Sequence, residues 1–160
     1  MMKILIVSDT HRSLKNLDTA LANEKPIDLL IHMGDVERQV PDIMKMVDCP
    51  MHIIAGNNDF LCGLDDEEEF EIGKYKVMIT HGHQYYVGMS EQYLQEEARA
   101  RGVDIVMYGH THVPKLIFES DLITLNPGSL TYPRQKGRRP SYMVMTIDES
   151  GEASFRTEYL

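Results

Sequence analysis

The apolar positions of the chain change their period along its length, and each change marks an element. Ile4 to Val7 is a continuous run of branched apolar residues, the pattern of a strand buried on both faces. From Ser13 to Asn23, Leu14, Leu17, Ala20 and Leu21 fall at helical spacing, with Ser13 placed to cap the start. Asp28 to Met33 predicts a second strand and Met51 to Ala55 a third. Between them Val36 to Val47 carries Val40, Ile43, Met44 and Val47 on one stripe, a helix with Pro41 in its first turn. The order β-α-β-α-β with short links predicts a parallel sheet covered by helices.

The second half is richer in hairpins. Glu67 to Ile72 and Tyr75 to Thr80 flank Gly73-Lys74, Lys115 to Glu119 and Leu122 to Leu125 flank Ser120-Asp121, and Ser141 to Ile147 and Ala153 to Glu158 flank Glu149-Ser150-Gly151. Ser90 to Arg101 reads as a helix and Asp104 to Tyr108 as a strand after Gly102. The pattern predicts an α/β chain in which two sheets pack together with helices outside. No repeat or linker interrupts it, so residues 1–160 are expected to form a single domain.

The chemistry is concentrated in the residues just beyond each apolar strand. The strand ends read Ser8-Asp9-Thr10-His11, Gly34-Asp35, Gly56-Asn57-Asn58-Asp59, His81-Gly82-His83 and Gly109-His110-Thr111-His112. Ligands of open α/β sheets bind at the carboxyl ends of strands, so five strands deliver acidic, amide and imidazole groups toward one edge. The candidate metal ligands are Asp9, His11, Asp35, Asn57, His81, His110 and His112. Four imidazoles, two carboxylates and an amide oxygen, with no thiolate, suit borderline divalent ions. Seven donors exceed one tetrahedral ion and fit two ions sharing a carboxylate, spaced ~3.5–4 Å as in two-metal phosphoryl-transfer sites. Asp-x-His and His-x-His place two donors on one side of an extended segment. His32 and His52 lie inside apolar strands and read as packing residues.

Charge narrows the partners. The chain is 42% hydrophobic and 26% charged, with a formal net charge of −9, which excludes disorder and argues against a strong grip on nucleic acid or an anionic membrane. No stretch approaches the ~20 apolar residues of a membrane span, and Met1-Met2-Lys3 leads into a run too short for a signal peptide. Cys49 and Cys62 form no disulfide framework. A cytoplasmic location is expected. Arg134, Lys136, Arg138 and Arg139 concentrate positive charge in six positions and read as a solvated or interface loop.

Taken together, the blocks D-T-H, G-D, G-N-N-D, T-H-G-H and G-H-T-H resemble the calcineurin-like metallophosphoesterase superfamily across roughly residues 2 to 148. With Asn126-Pro127-Gly128-Ser129, they are similar to its small YfcE/MJ0936-type phosphodiesterases. The resemblance implies a four-layer α-β-β-α sandwich of two mixed sheets, with a dinuclear site at the loops of one end. It implies one metal on Asp9, His11 and His112, another on Asn57, His81 and His110, and Asp35 bridging them. Mn2+ or Ni2+ are the expected ions, with Zn2+, Fe2+ or Co2+ fitting the same donors. The implied activity is hydrolysis of a small phosphodiester by a hydroxide bridging the metals, with a phosphomonoesterase or a non-catalytic scaffold of the same fold as alternatives. The resemblance also admits a homo-oligomer. Where larger members carry a histidine after the metal-binding asparagine, this chain has Asn58, which offers no titratable proton. His83 is then the candidate acid, or a residue that orients a ligand.

Overall fold

Alternation within the strands decides the layering. In the computed structural model, which describes all of Met1–Leu160, Ile4 and Ile6 of β1 (Met2–Val7) turn to one side and Leu5 and Val7 to the other. Ile4 and Ile6 pack with Ile79, Ile105, Met107, Met143 and Met145 in the core between two sheets. Leu5 and Val7 pack against Leu17, Ala20 and Leu21 of α1 (Lys15–Glu24) and Ile43 of α2 (Val40–Met46). On the second sheet Met78 and Val106 face outward onto Leu94 and Ala98 of α3 (Gln92–Ala100). Three separate apolar layers result, and the architecture is helix, sheet, sheet, helix.

The first sheet has the order β10-β9-β1-β2-β3, with β2 Leu29–His32, β3 Met51–Ile53, β9 Ser141–Ile147 and β10 Ala153–Tyr159. The second has the order β4-β5-β6-β8-β7, with β4 Glu67–Ile72, β5 Tyr75–Thr80, β6 Ile105–Met107, β7 Lys115–Phe118 and β8 Ile123–Asn126. Both sheets are mixed. The three predicted hairpins are antiparallel pairs: Ile72 opposes Tyr75, Phe118 opposes Ile123 and Ile147 opposes Ala153. β1, β2 and β3 are parallel, with Val7 beside His32 and His32 beside Ile53, and β5 is parallel to β6, with Ile79 beside Met107. These registers bring the five functional strand ends level. No helix is long and apolar enough to cross a membrane.

All three predicted helix starts move inward, that of α3 from Ser90 to Gln92. Ser13 does not cap α1: its N–H closes a turn on the Thr10 carbonyl, 3.0 Å away, and Leu14 takes the cap position without a side-chain bond. The helix expected from Val36 begins at Val40, because Glu37 and Arg38 adopt left-handed φ of 49° and 72°. The buried Asp59 carboxylate holds that turn by accepting N–H groups of Val36 (3.2 Å) and Glu37 (2.7 Å). A short 3-10 turn, His83–Tyr85, was invisible to periodicity.

Candidate metal centre

The strand ends reach their common edge on strained backbone. Asp9 (φ 54°), His11 (42°), Asp35 (57°), His110 (67°) and His112 (58°) are all left-handed. For a non-glycine residue that costs on the order of 1–3 kcal/mol and persists only where surroundings over-determine it. Glycine clears the space. A Cβ on Gly56 would stand 2.1 Å from Asp35 Oδ1, and one on Gly109 2.1 Å from Ser8 Oγ.

Donor atoms of Asp9, His11, Asp35 and His112 lie within 4.8 Å of one another. His112 Nε2 is 3.1 Å from Asp9 Oδ1 and 3.2 Å from His11 Nε2. His11 Nε2 is 3.5 Å from both Asp9 Oδ1 and Asp35 Oδ2. His81 joins them, its Nε2 3.4 Å from Asp35 Oδ2 and 3.8 Å from Asp9 Oδ1. His110 sits beside His81 with ring centroids 5.2 Å apart, and its Nδ1 meets Asn57 Oδ1 at 3.0 Å. All seven residues therefore form one connected cluster, in which Asp35 stands between His11 and His81.

Surrounding groups fix how these donors face. His81 Nδ1–H donates to the Met33 carbonyl at 2.6 Å, and His112 Nδ1–H to the Tyr132 carbonyl at 2.8 Å. Since a carbonyl only accepts, the Nε2 of each neutral ring is left with a lone pair facing the cluster. Ser8 Oγ and the His110 N–H donate to Asp9 Oδ2, and Ser129 Oγ to the Asp9 carbonyl. Asn126 of the Asn-Pro-Gly-Ser turn donates to the Gly109 carbonyl and Thr111 Oγ1, holding the His110–His112 loop. Asn58 donates its backbone N–H to Asp35 Oδ1 and its carboxamide N–H to Oδ2, both at 2.9 Å. It therefore positions the central carboxylate.

The electrostatics are those of a cation site. Burial opposes ionisation of Asp9, but the imidazoles of His11, His112 and His81 crowded against it hold its carboxyl far below the usual range. Asp35 is brought down to about 2, with His81 and Asn58 outweighing burial. Burial pulls His81 and His11 down, yet the neighbouring carboxylates raise both imidazoles above their ordinary value. Asp9 Oδ1 and His81 Nε2 are nevertheless buried with no hydrogen-bond partner. Leaving two such atoms unpaired is costly, and a divalent ion among oxygen and imidazole donors satisfies both. The residues fit a metal.

His83 stands apart from this network. Its ring lies 5.6 Å from His81 and 5.9 Å from His110, its Nδ1 is buried without a partner, and burial and the His81 charge lower its pKa. His32 is fully buried between Thr10 Oγ1 and the Gly34 N–H, while His52 stacks on Phe70 at 3.7 Å and pairs with Glu68. Three contributors escaped the sequence reading. Glu37 lies 3.6 Å from His11 Nδ1, Tyr132 packs its ring 5.3 Å from that of His11, and Ser8 binds Asp9. Glu37 and Tyr132 sit on irregular turns, where no periodicity signals a role.

Comparison with known proteins bears on the family and the fold. Residues 2–150 match the calcineurin-like phosphoesterase superfamily domain. The probable metallophosphoesterase YsnB of Bacillus subtilis is 31% identical over 150 residues, covering 92% of this chain and 85% of YsnB. An archaeal phosphodiesterase superposes with TM-score 0.80 at 30% identity, over 99% of this chain and all of that one. Vps29 of Entamoeba histolytica has the same fold, with TM-score 0.80 at 24% identity over 99% of each chain.

Proposed function

The chain belongs to the calcineurin-like phosphoesterase superfamily, and from that premise we propose that it is a metal-dependent phosphodiesterase holding two divalent ions. The observation that carries the reading is the convergence of Asp9, His11, Asp35 and His112, with Asp9 Oδ1 and His81 Nε2 buried and unpartnered. Asp9, His11 and His112 would hold one ion, Asn57, His81 and His110 the other, and Asp35 both. Bound there, the ions supply Lewis acidity that offsets phosphoryl charge and brings the pKa of water toward ~7. The imidazole-rich donor set favours Mn2+ or Ni2+, with Zn2+, Fe2+ and Co2+ next, over the oxygen-seeking Mg2+.

The chain's own residues do the positioning. Asn58 fixes both oxygens of Asp35, and the Met33 and Tyr132 carbonyls fix the His81 and His112 rings. His83 is the group best placed to exchange a proton with a leaving oxygen. Its lowered pKa leaves little of the protonated, proton-donating form near neutrality, so esters with poor leaving groups should react slowly.

The test is to strip the protein with chelator, reload it with Mn2+, Ni2+ or Mg2+, and assay bis(p-nitrophenyl) phosphate, an alkyl p-nitrophenyl diester, a dialkyl diester and p-nitrophenyl phosphate. Hydrolysis of the aryl diesters with Mn2+ or Ni2+, and a far slower dialkyl rate, is expected. Activation by Mg2+ alone overturns the metal assignment, and a faster monoester overturns the substrate class. Tight metal binding without turnover of any ester would favour a non-catalytic scaffold, the reading that likeness of fold to Vps29 supports. His83→Ala should depress the dialkyl rate and spare the aryl one if His83 exchanges the proton.

A further inference from the structure

A cavity of ≈ 470 Å³ adjoins the metal centre, walled by Arg12, Arg38 and Phe60 with Glu37, Asn58 and Asp59. It shares structure with the centre at two points: Arg12 follows His11 in the chain, and Asn58 holds Asp35. We propose that this cavity is the subsite for the arm of the diester that stays on phosphorus, and that it selects an arm made of an aromatic base and a second phosphate. The inference rests on the phosphodiesterase reading of the adjoining centre and names its substrate class as nucleotide esters.

The charges on the walls point to an added anion. Asp59 is buried and accepts three N–H groups, from Val36, Glu37 and Gly56, so it does not repel a phosphate as a bare carboxylate would. Glu37 is shared between His11 Nδ1 and Arg12 Nε, 3.6 Å from each. Arg38 has no carboxylate partner and no side-chain hydrogen bond in a chain whose net charge is −9, and it is the free guanidinium of this cavity. A guanidinium fork matches phosphate geometry.

The walls are also rigid. Arg12 (φ 64°), Glu37 (49°) and Arg38 (72°) are all left-handed, and the Val36 and Glu37 N–H bonds to Asp59 tie the turn that carries Glu37 and Arg38 to the Gly56–Phe60 loop. Strain held in place this way belongs with preorganised sites. Phe60 is an aromatic residue 78% exposed, and base stacking on such a ring tolerates any base because each has a π face. The cavity volume lies within the ~300–1,000 Å³ of small-molecule sites.

The experiment compares thymidine 5′-(p-nitrophenyl phosphate) with the same ester carrying a 3′-phosphate. In both, water oxygen adds to phosphorus, the P–O bond to the aryl group breaks with its electron pair on p-nitrophenolate, and the water protons pass to solvent. With Mn2+-loaded protein, kcat/KM should favour the 3′-phosphorylated ester by ~10-fold or more, chiefly through KM. Arg38→Met should bring the ratio close to one, Arg38→Lys should restore part of it, and Lys45→Met, the same charge loss on α2, should leave it. Thymidine 3′,5′-bisphosphate titrated into metal-stripped protein should bind ~10-fold more weakly to Arg38→Met. Should that variant not fold, the Arg38 and Phe60 resonances of the unsubstituted protein must shift with the bisphosphate. Equal rates for the two esters, or binding that ignores Arg38, overturns the subsite while leaving the phosphodiesterase reading intact. Absence of hydrolysis of bis(p-nitrophenyl) phosphate with every metal overturns that reading instead, and bisphosphate binding then reports on the cavity alone.

Discussion

At the scale of single residues, Asp35 and His11 should separate the two ions. Asp35 lies 3.5 Å from His11 Nε2 on one side and 3.4 Å from His81 Nε2 on the other, whereas the donors beside His11 are Asp9, His112 and Asp35, with Glu37 at its Nδ1. Asp35→Ala should therefore lose both ions, and His11→Ala should mainly weaken one. Metal analysis of the purified variants decides this, and unchanged stoichiometry in Asp35→Ala would remove Asp35 from the bridging position. Asn58 shows what a motif alone leaves out. Its place after Asn57 marks it as offering no titratable proton, and its two bonds to Asp35 add a positioning role. Only the fold brings the segment after β3 against the turn after β2.

At the scale of elements, the turns after the strands are where change is least tolerated. Gly56→Ala places a methyl group 2.1 Å from Asp35 Oδ1 and 2.5 Å from Asp35 N, and both are held in a strained turn. Thermal unfolding should show a loss of at least ~2 kcal/mol, together with weakened metal binding. Gly88→Ala is the control, because nothing lies within 4 Å of its added Cβ; it should stay within ~0.5 kcal/mol of the parent. The turn after β2 also carries a pH dependence. His32 accepts the Gly34 N–H at Nδ1 and is fully buried, and burial pushes its pKa down to about 4. An unfolded histidine titrates near ~6.5, so the unfolded chain binds this proton first. The contribution of neutral His32 to stability is complete above that value and is lost as pH falls toward 4. Urea unfolding of the metal-free protein between these limits should show a steeper acid loss than in His32→Gln. A parallel dependence in both would move the acid sensitivity elsewhere.

At the scale of the whole molecule, two sheets meet through a central core while their strand ends share one functional edge. The His81 Nδ1–H bond to the Met33 carbonyl joins the edges of the two sheets directly. An ion held by residues from both sheets should therefore stabilise the folded chain as a unit. At a metal concentration of 100 times Kd the gain is ~2.7 kcal/mol per site, which raises the melting temperature of a domain this size by roughly 5–10 °C. Mn2+ or Ni2+ added to stripped protein should give this shift in scanning calorimetry, and Mg2+ a much smaller one. No shift with any of the three would mean that the cluster is satisfied without a cation.

Local pattern in the sequence was enough for the sheets and for the candidate donors. Period-two and continuous apolar runs placed all ten strands within a residue or two, and seven donors at strand ends read directly as a cation site. Helix starts were less legible, since the Asp59 carboxylate, 22 residues away in the chain, claims the N–H of Glu37 and displaces the first turn of α2. Tertiary structure alone decided which groups act on the donors: the carbonyls behind His81 and His112, the amide bonds of Asn58, Glu37 at His11, and the free guanidinium of Arg38. Those contacts join positions 20 to 50 residues apart, where no periodicity connects the partners. Local pattern sets which face a side chain takes, and only the packed chain sets what that face meets.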